Sequence, residues 1–231
     1  RSLVHDAELE RRMKTAFPRW IRGFALAALG AALVLCAAPI VERMAAPDRP
    51  VMWWSARALG MVAYVALWLA SLFGVLVGGR GAGGRFDRAT VMQLHDRWAL
   101  AALASTGLHV LMVVGDFRSG VSPLAVFVPG ISERLAGSVT LGTVALYGVV
   151  SVALTTYFAD RVPRVVWRAT HSAAFGTYLL ALFHGIFAGS ESSVPIVRAF
   201  YVGTASLLVV SVAQRVSIQL GSSTSNNGAS S

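Results

Sequence analysis

Imidazole is the side chain that binds metals in neutral form and changes charge near neutral pH. Four of the five histidines of this chain lie inside apolar segments as two matched pairs, His95 with His109 and His171 with His184. The separations are 14 and 13 residues, and a helical rise of about 1.5 Å per residue converts both to roughly 20 Å along a helix axis. Two co-directional helices would therefore present imidazoles at the same two depths. A histidine in a membrane helix is costly and reads first as functional. Taken singly, each could be a hydrogen-bonding residue between helices, but four at concordant spacings resist that explanation. The pattern is the one that two stacked haems with paired axial histidines require, and it predicts His95 with His171 and His109 with His184. Two axial imidazoles leave no open coordination position, which favours electron transfer over ligand activation. With Cys36 as the one cysteine, no Cys-x-x-Cys-His attachment exists, so the expected cofactors are two noncovalent b haems.

The angular arithmetic is less tidy. At about 100° per residue, 14 positions return His109 to within roughly 40° of His95, whereas 13 leave His184 about 140° from His171. The second segment must bend, tilt or bulge. Gly176, midway between its histidines, is the expected place, and it also offers a flat macrocycle room to approach the backbone. Gly107 could do the same beside His109. Propionates need cationic or polar partners: Arg57 and Arg118 flank one level, Arg97 and Arg168 the other. Each could equally be an interfacial charge extending to headgroups.

The elements that must carry these residues follow from composition. With 55% hydrophobic and 13% charged residues and a mean hydropathy of +0.63, most of the chain belongs in lipid. Six apolar runs, near 23–41, 55–78, 90–114, 137–159, 165–188 and 195–216, each match the ~20 residues of a spanning helix. Unpaired backbone is excluded from hydrocarbon, so the predicted fold is all-α, an integral membrane six-helix bundle over 23–216. A basic tail (1–22) precedes it, and a flexible Ser, Asn and Gly rich tail (217–231) follows. The first run also has features of a secretory signal, but its charged leader is long, and it reads as the first helix.

Net charge is +9, yet the arginines are scattered between apolar runs, which speaks against nucleic acid as a partner and for membrane lipids. Counting short loops, thirteen basic residues fall on one side and six on the other, which predicts both termini cytoplasmic. The third and fifth helices then run in the same direction, the condition for level-by-level pairing. Trp53, Trp54, Trp98 and Trp167 fit interfacial anchoring. Phe117 to Gly137, with Pro123 and Pro129, is expected to lie along the outer surface as a lid.

The stretches Ala56-Arg57-Ala58-Leu59-Gly60, Leu94-His95-Asp96-Arg97-Trp98 with His109, and Trp167-Arg168-Ala169-Thr170-His171 with Leu182-Phe183-His184-Gly185 and Gly189 resemble the ferric reductase-like transmembrane domain. That domain is shared by NADPH oxidases, ferric and copper metalloreductases, and the membrane haem subunit of a bacterial methionine sulfoxide reductase system. The resemblance implies six helices, two b haems on the pairs named above, electrons crossing between faces, and a bacterial inner or plasma membrane location. After Arg215 only 216–231 remain, short of the hundred or more residues a flavin and nicotinamide module needs on ordinary domain sizes. The expectation is an oxidoreductase-type electron-transfer subunit that depends on a separate flavoprotein, a quinol or a partner complex. Its rival is an assembly or structural subunit of a larger redox complex with haems absent or vestigial. A proton channel or transporter is disfavoured, because Asp96 is nearly alone as an acid inside the helices.

Overall fold

A computed structural model describes residues 51–78, 87–116 and 119–228, excluding the side chains of residue 78 and of those beyond 217. The expected first run at 23–41, Cys36, the basic tail and Arg118 lie outside the described residues. Within them the chain is helical, with no strand: α1 (Val51–Gly78), α2 (Arg88–Gly115), α3 (Pro123–Phe127), α4 (Ala136–Tyr157), α5 (Arg164–Ser172), α6 (Ala174–Ala188) and α7 (Pro195–Gly228).

Local chemistry sets the ends. Asp87 caps α2, its Oδ2 accepting from the Thr90 backbone N–H at 3.2 Å, and Ser122 caps α3 ahead of Pro123, as N-cap residues do for otherwise unpaired amides. Pro163 precedes α5 and Pro195 opens α7. Gly189 closes α6, its N–H bonding the Gly185 carbonyl at 3.0 Å. Among the described residues four helices are long and apolar enough to cross a membrane: Val51–Val77, Arg88–Gly115, Ala136–Tyr157 and Pro195–Ser217. The last continues as helix to Gly228, past the expected boundary at 216 and into the stretch read as flexible, because no proline follows to stop it.

The expected distortion of the 165–188 segment is present, but not at Gly176. The helix breaks at Ala173, dividing it into α5 of 9 residues and α6 of 15. Gly176 sits in regular helix. The reason is packing: a Cβ on Gly148 would lie 2.2 Å from Thr177 Oγ1, so buried Thr177 is pressed into the backbone of α4 and holds α6 straight there. Nothing in α5 is buried, so the irregularity is displaced to the looser side.

α1 packs antiparallel on α2, and α4 antiparallel on α6. A polar knot joins α1, α6 and α7. Tyr64 Oη meets Tyr178 Oη at 2.9 Å and Thr204 Oγ1 at 2.6 Å, and Trp68 Nε1 donates to the Thr204 carbonyl at 3.0 Å. Tyr178, Leu182, Tyr201 and Leu208 close around it. Apolar side chains such as Val62, Leu154, Phe187 and Val209 point outward, a surface suited to lipid. The segment expected as a lid folds onto α4: the Gly130 N–H donates to Thr140 Oγ1 at 3.0 Å, Thr143 Oγ1 to the Ala125 carbonyl at 3.3 Å, and the Tyr147 hydroxyl to the Phe127 carbonyl. Gly120 and Gly130 take positive φ of 67° and 88° in its turns, where side chains other than glycine are strained.

Candidate functional site

The helix packing brings the four histidines together as two pairs. His95 and His171 have ring centres 5.9 Å apart with planes at 66°, and His109 and His184 are at 6.2 Å and 74°. Partner choice is level by level, so α2 runs in the same direction as α5 and α6. A metal between two imidazoles, with bonds of about 2.0–2.1 Å and roughly 1.1 Å from ring nitrogen to ring centre, places the centres about 6.2 Å apart. The His109–His184 pair has that spacing, and the His95–His171 pair is about 0.3 Å shorter.

Three of the four rings are oriented by the same device. His109 Nδ1 donates to the Ala56 carbonyl at 2.6 Å, His95 Nδ1 to the Ala70 carbonyl at 2.8 Å, and His184 Nδ1 to the Ser138 carbonyl at 2.7 Å. Each acceptor is followed four residues later by a glycine against which the ring lies. A Cβ on Gly60 would be 3.0 Å from His109 Nδ1, one on Gly74 3.3 Å from His95 Cε1, and one on Gly142 2.8 Å from His184 Nδ1 and Cε1. The carbonyl fixes the tautomer and the plane, and the missing side chain admits the ring. Nε2 is left for a metal, and its basicity is raised by the bond on the other nitrogen.

His171 lacks this support. Its Nδ1 is buried without a hydrogen-bond partner, and its ring stacks on Trp167 with centres 4.9 Å apart and planes at 17°.

The arginines divide. Arg57 pairs with Glu191, in the turn after α6, and lies over the Trp53 ring, its Cζ 5.9 Å from the centroid. Arg97 and Arg168 are exposed, while Arg118 is outside the described residues. At Gly107 and Gly176 an added Cβ would meet nothing within 4 Å, so both border open space. The glycines that touch imidazoles are Gly60, Gly74 and Gly142, which sequence reasoning passed over. The signal was available: Gly60 and Gly74 are 14 apart, as are His95 and His109.

Among the described residues no three or more His, Cys, Asp or Glu side chains converge on one point. Among the described residues each pair thus offers two protein nitrogens. A bare divalent ion ordinarily takes three or four protein ligands, whereas a macrocyclic metal needs only the axial two. No family model, curated protein or solved structure matches this chain.

Proposed function

We propose that the chain is a dihaem b-type cytochrome subunit carrying electrons across a bilayer between a donor and an acceptor on opposite faces. The observation that supports it is the pair of imidazole couples at 5.9 and 6.2 Å, three of the four rings having Nδ1 held by a backbone carbonyl. His95 and His171 would hold one haem, His109 and His184 the other. A haem held at either pair would supply a one-electron ferrous–ferric couple.

The protein's own contribution is positioning. Ala56, Ala70 and Ser138 lend carbonyls, Gly60, Gly74 and Gly142 lend space, and the apolar helices keep bulk water from the rings. The proposed bundle has six spans: the four candidate spans, the interrupted α5–α6 segment, and the apolar run at 23–41. It is of the ferric reductase-like type, with both termini on the cytoplasmic side of a bacterial membrane. The donor is a separate flavoprotein, a quinol or a partner complex. Arg161, Arg164 and Arg168, all exposed around the α4–α5 turn, form a basic surface that would steer an acidic protein donor.

Pyridine haemochrome assay of the purified chain, expressed with ample haem, should give about two haems per chain, and His184→Ala should leave the His95–His171 haem in redox titration. A value near zero would refute this reading and leave a structural subunit.

A further inference from the structure

The short helix α3 joins two candidate spans, α2 and α4, but it does not sit at the level where α4 begins. Its hydrogen bonds to α4 set its depth. The Gly130 N–H donates to Thr140 Oγ1 at 3.0 Å, Thr143 Oγ1 donates to the Ala125 carbonyl at 3.3 Å, and the Tyr147 hydroxyl donates to the Phe127 carbonyl. Thr143 follows Ala136, the first residue of α4, by 7 positions, which at about 1.5 Å per residue is roughly 10 Å along the helix. A threonine side chain is too short to carry its hydroxyl far from that level, so Ala125 lies there as well. α4 has 22 residues, about 33 Å of helix, close to the ~30 Å of a bilayer's hydrocarbon core. With α4 as a span, α3 stands about a third of the way into the bilayer, and not on its surface as the sequence led one to expect.

A segment at that depth must meet two demands, and this one meets both. Its outward side chains must be apolar. No charged residue lies between Arg118 and Glu133, and Leu124 and Phe127 are 62% and 56% exposed, while Ala125 and Val126 are buried against the bundle. Its backbone must find partners within the protein, because hydrocarbon offers none. A helix end leaves carbonyls over, and a helix of 5 residues is mostly ends. Thr140, Thr143 and Tyr147, at helical spacing on one face of α4, bring hydroxyls to this stretch: two of them donate to α3 carbonyls, and the third accepts the Gly130 N–H. At a wet surface water would serve those groups as well.

We propose that 123–128 is a re-entrant segment whose Leu124, Phe127 and Val128 lie against the acyl chains of one lipid leaflet, continuing the lipid-facing surface of Val144 and Val150 on α4. The proposal rests on α4 as a span and is independent of the dihaem reading.

The test uses the full chain in phosphatidylcholine vesicles, with Cys36→Ala so that an introduced cysteine is the one thiol. A nitroxide on Phe127→Cys is read by its collisions with oxygen, which concentrates in hydrocarbon, and with a neutral nickel chelate, which stays in water. The logarithm of oxygen over nickel accessibility should be positive at Phe127→Cys, as at Val150→Cys within the span, and negative at Glu133→Cys. Leu124→Cys should repeat the Phe127 result, so the test survives if one variant fails to fold. Tyr147→Phe, which frees the Phe127 carbonyl, should raise nickel accessibility at position 127 and leave it unchanged at position 150. Negative values at both 124 and 127 would place the segment on the surface and overturn the proposal. Low accessibility to both reagents would mean that protein, such as a second copy of the chain, covers the face, and would overturn it too. A negative value at Val150→Cys would overturn the span and the proposal with it. Failure of the dihaem reading would show in haem content and leave these ratios as they are.

Discussion

Gly142→Ala is the sharpest test of how the rings are seated. The new Cβ would lie 2.8 Å from both Cε1 and Nδ1 of His184, while carbon contacts settle at about 3.5–4.0 Å. The ring must therefore retreat by about 0.7 Å or more. Its Nδ1–H is bonded to the Ser138 carbonyl at 2.7 Å, and that retreat stretches the bond to about 3.4 Å, beyond the useful range for N–H donors. The other glycines are crowded less. Gly60→Ala meets His109 at 3.0 Å and extends a 2.6 Å bond to about 3.1 Å, weak but retained. Gly74→Ala meets His95 at 3.3 Å and lengthens a 2.8 Å bond by about 0.2 Å, with little consequence. Gly107→Ala meets nothing within 4 Å and is the control.

Overall stability is a poor reporter here, because alanine gains about 1 kcal/mol over glycine inside a helix against an overpacking cost of about 1–3 kcal/mol. Haem affinity is the discriminating readout. Losing a ligand's supporting bond costs about 10–100-fold. Gly142→Ala should therefore purify with about one haem per chain, keeping the His95–His171 couple, and loss should fall in the order Gly142, Gly60, Gly74, Gly107. Equal haem content in the Gly142 and Gly107 variants would refute the seating argument.

Two further outcomes follow from the packing. Tyr64→Phe should destabilise the bundle by about 1–3 kcal/mol, since it leaves the Tyr178 hydroxyl buried without its partner; thermal unfolding in detergent checks this, with haem content unchanged. Gly148→Ala would drive a Cβ into Thr177 Oγ1 and should cost about 1–3 kcal/mol. Thr177→Ala in the same chain should recover much of it, and additive losses in a double-mutant cycle would count against the contact.

The partnering of the histidines was readable because it depends only on spacing and direction: 14 against 13 residues and a charge asymmetry. The seats of the rings were not read, although part of their signal lay in the open. Attention to glycines near the histidines in sequence found Gly107 and Gly176, whereas contact across an antiparallel pair depends on positions whose numbers sum to a constant. Gly60 with His109 and Gly74 with His95 both sum to 169. Nothing short of the packed helices identifies Ser138 and Gly142, because that register is set by how α4 meets α6. Arg57 was read as a partner for a cofactor's acidic groups, and its engagement by Glu191 depends on a turn geometry that spacing does not encode.

The break at Ala173 connects the angular mismatch to the odd histidine. An unbroken helix would turn His184 about 140° away from His171, so one of the two rings could not face α2. α6 is fixed by Thr177 against Gly148 and by the Tyr178 hydroxyl bond to Tyr64, so the correction falls on the stretch before it. His171 reaches His95 by way of a short helix that follows a proline and has no fully buried residue. Freedom to reach and lack of an anchor are then the same property.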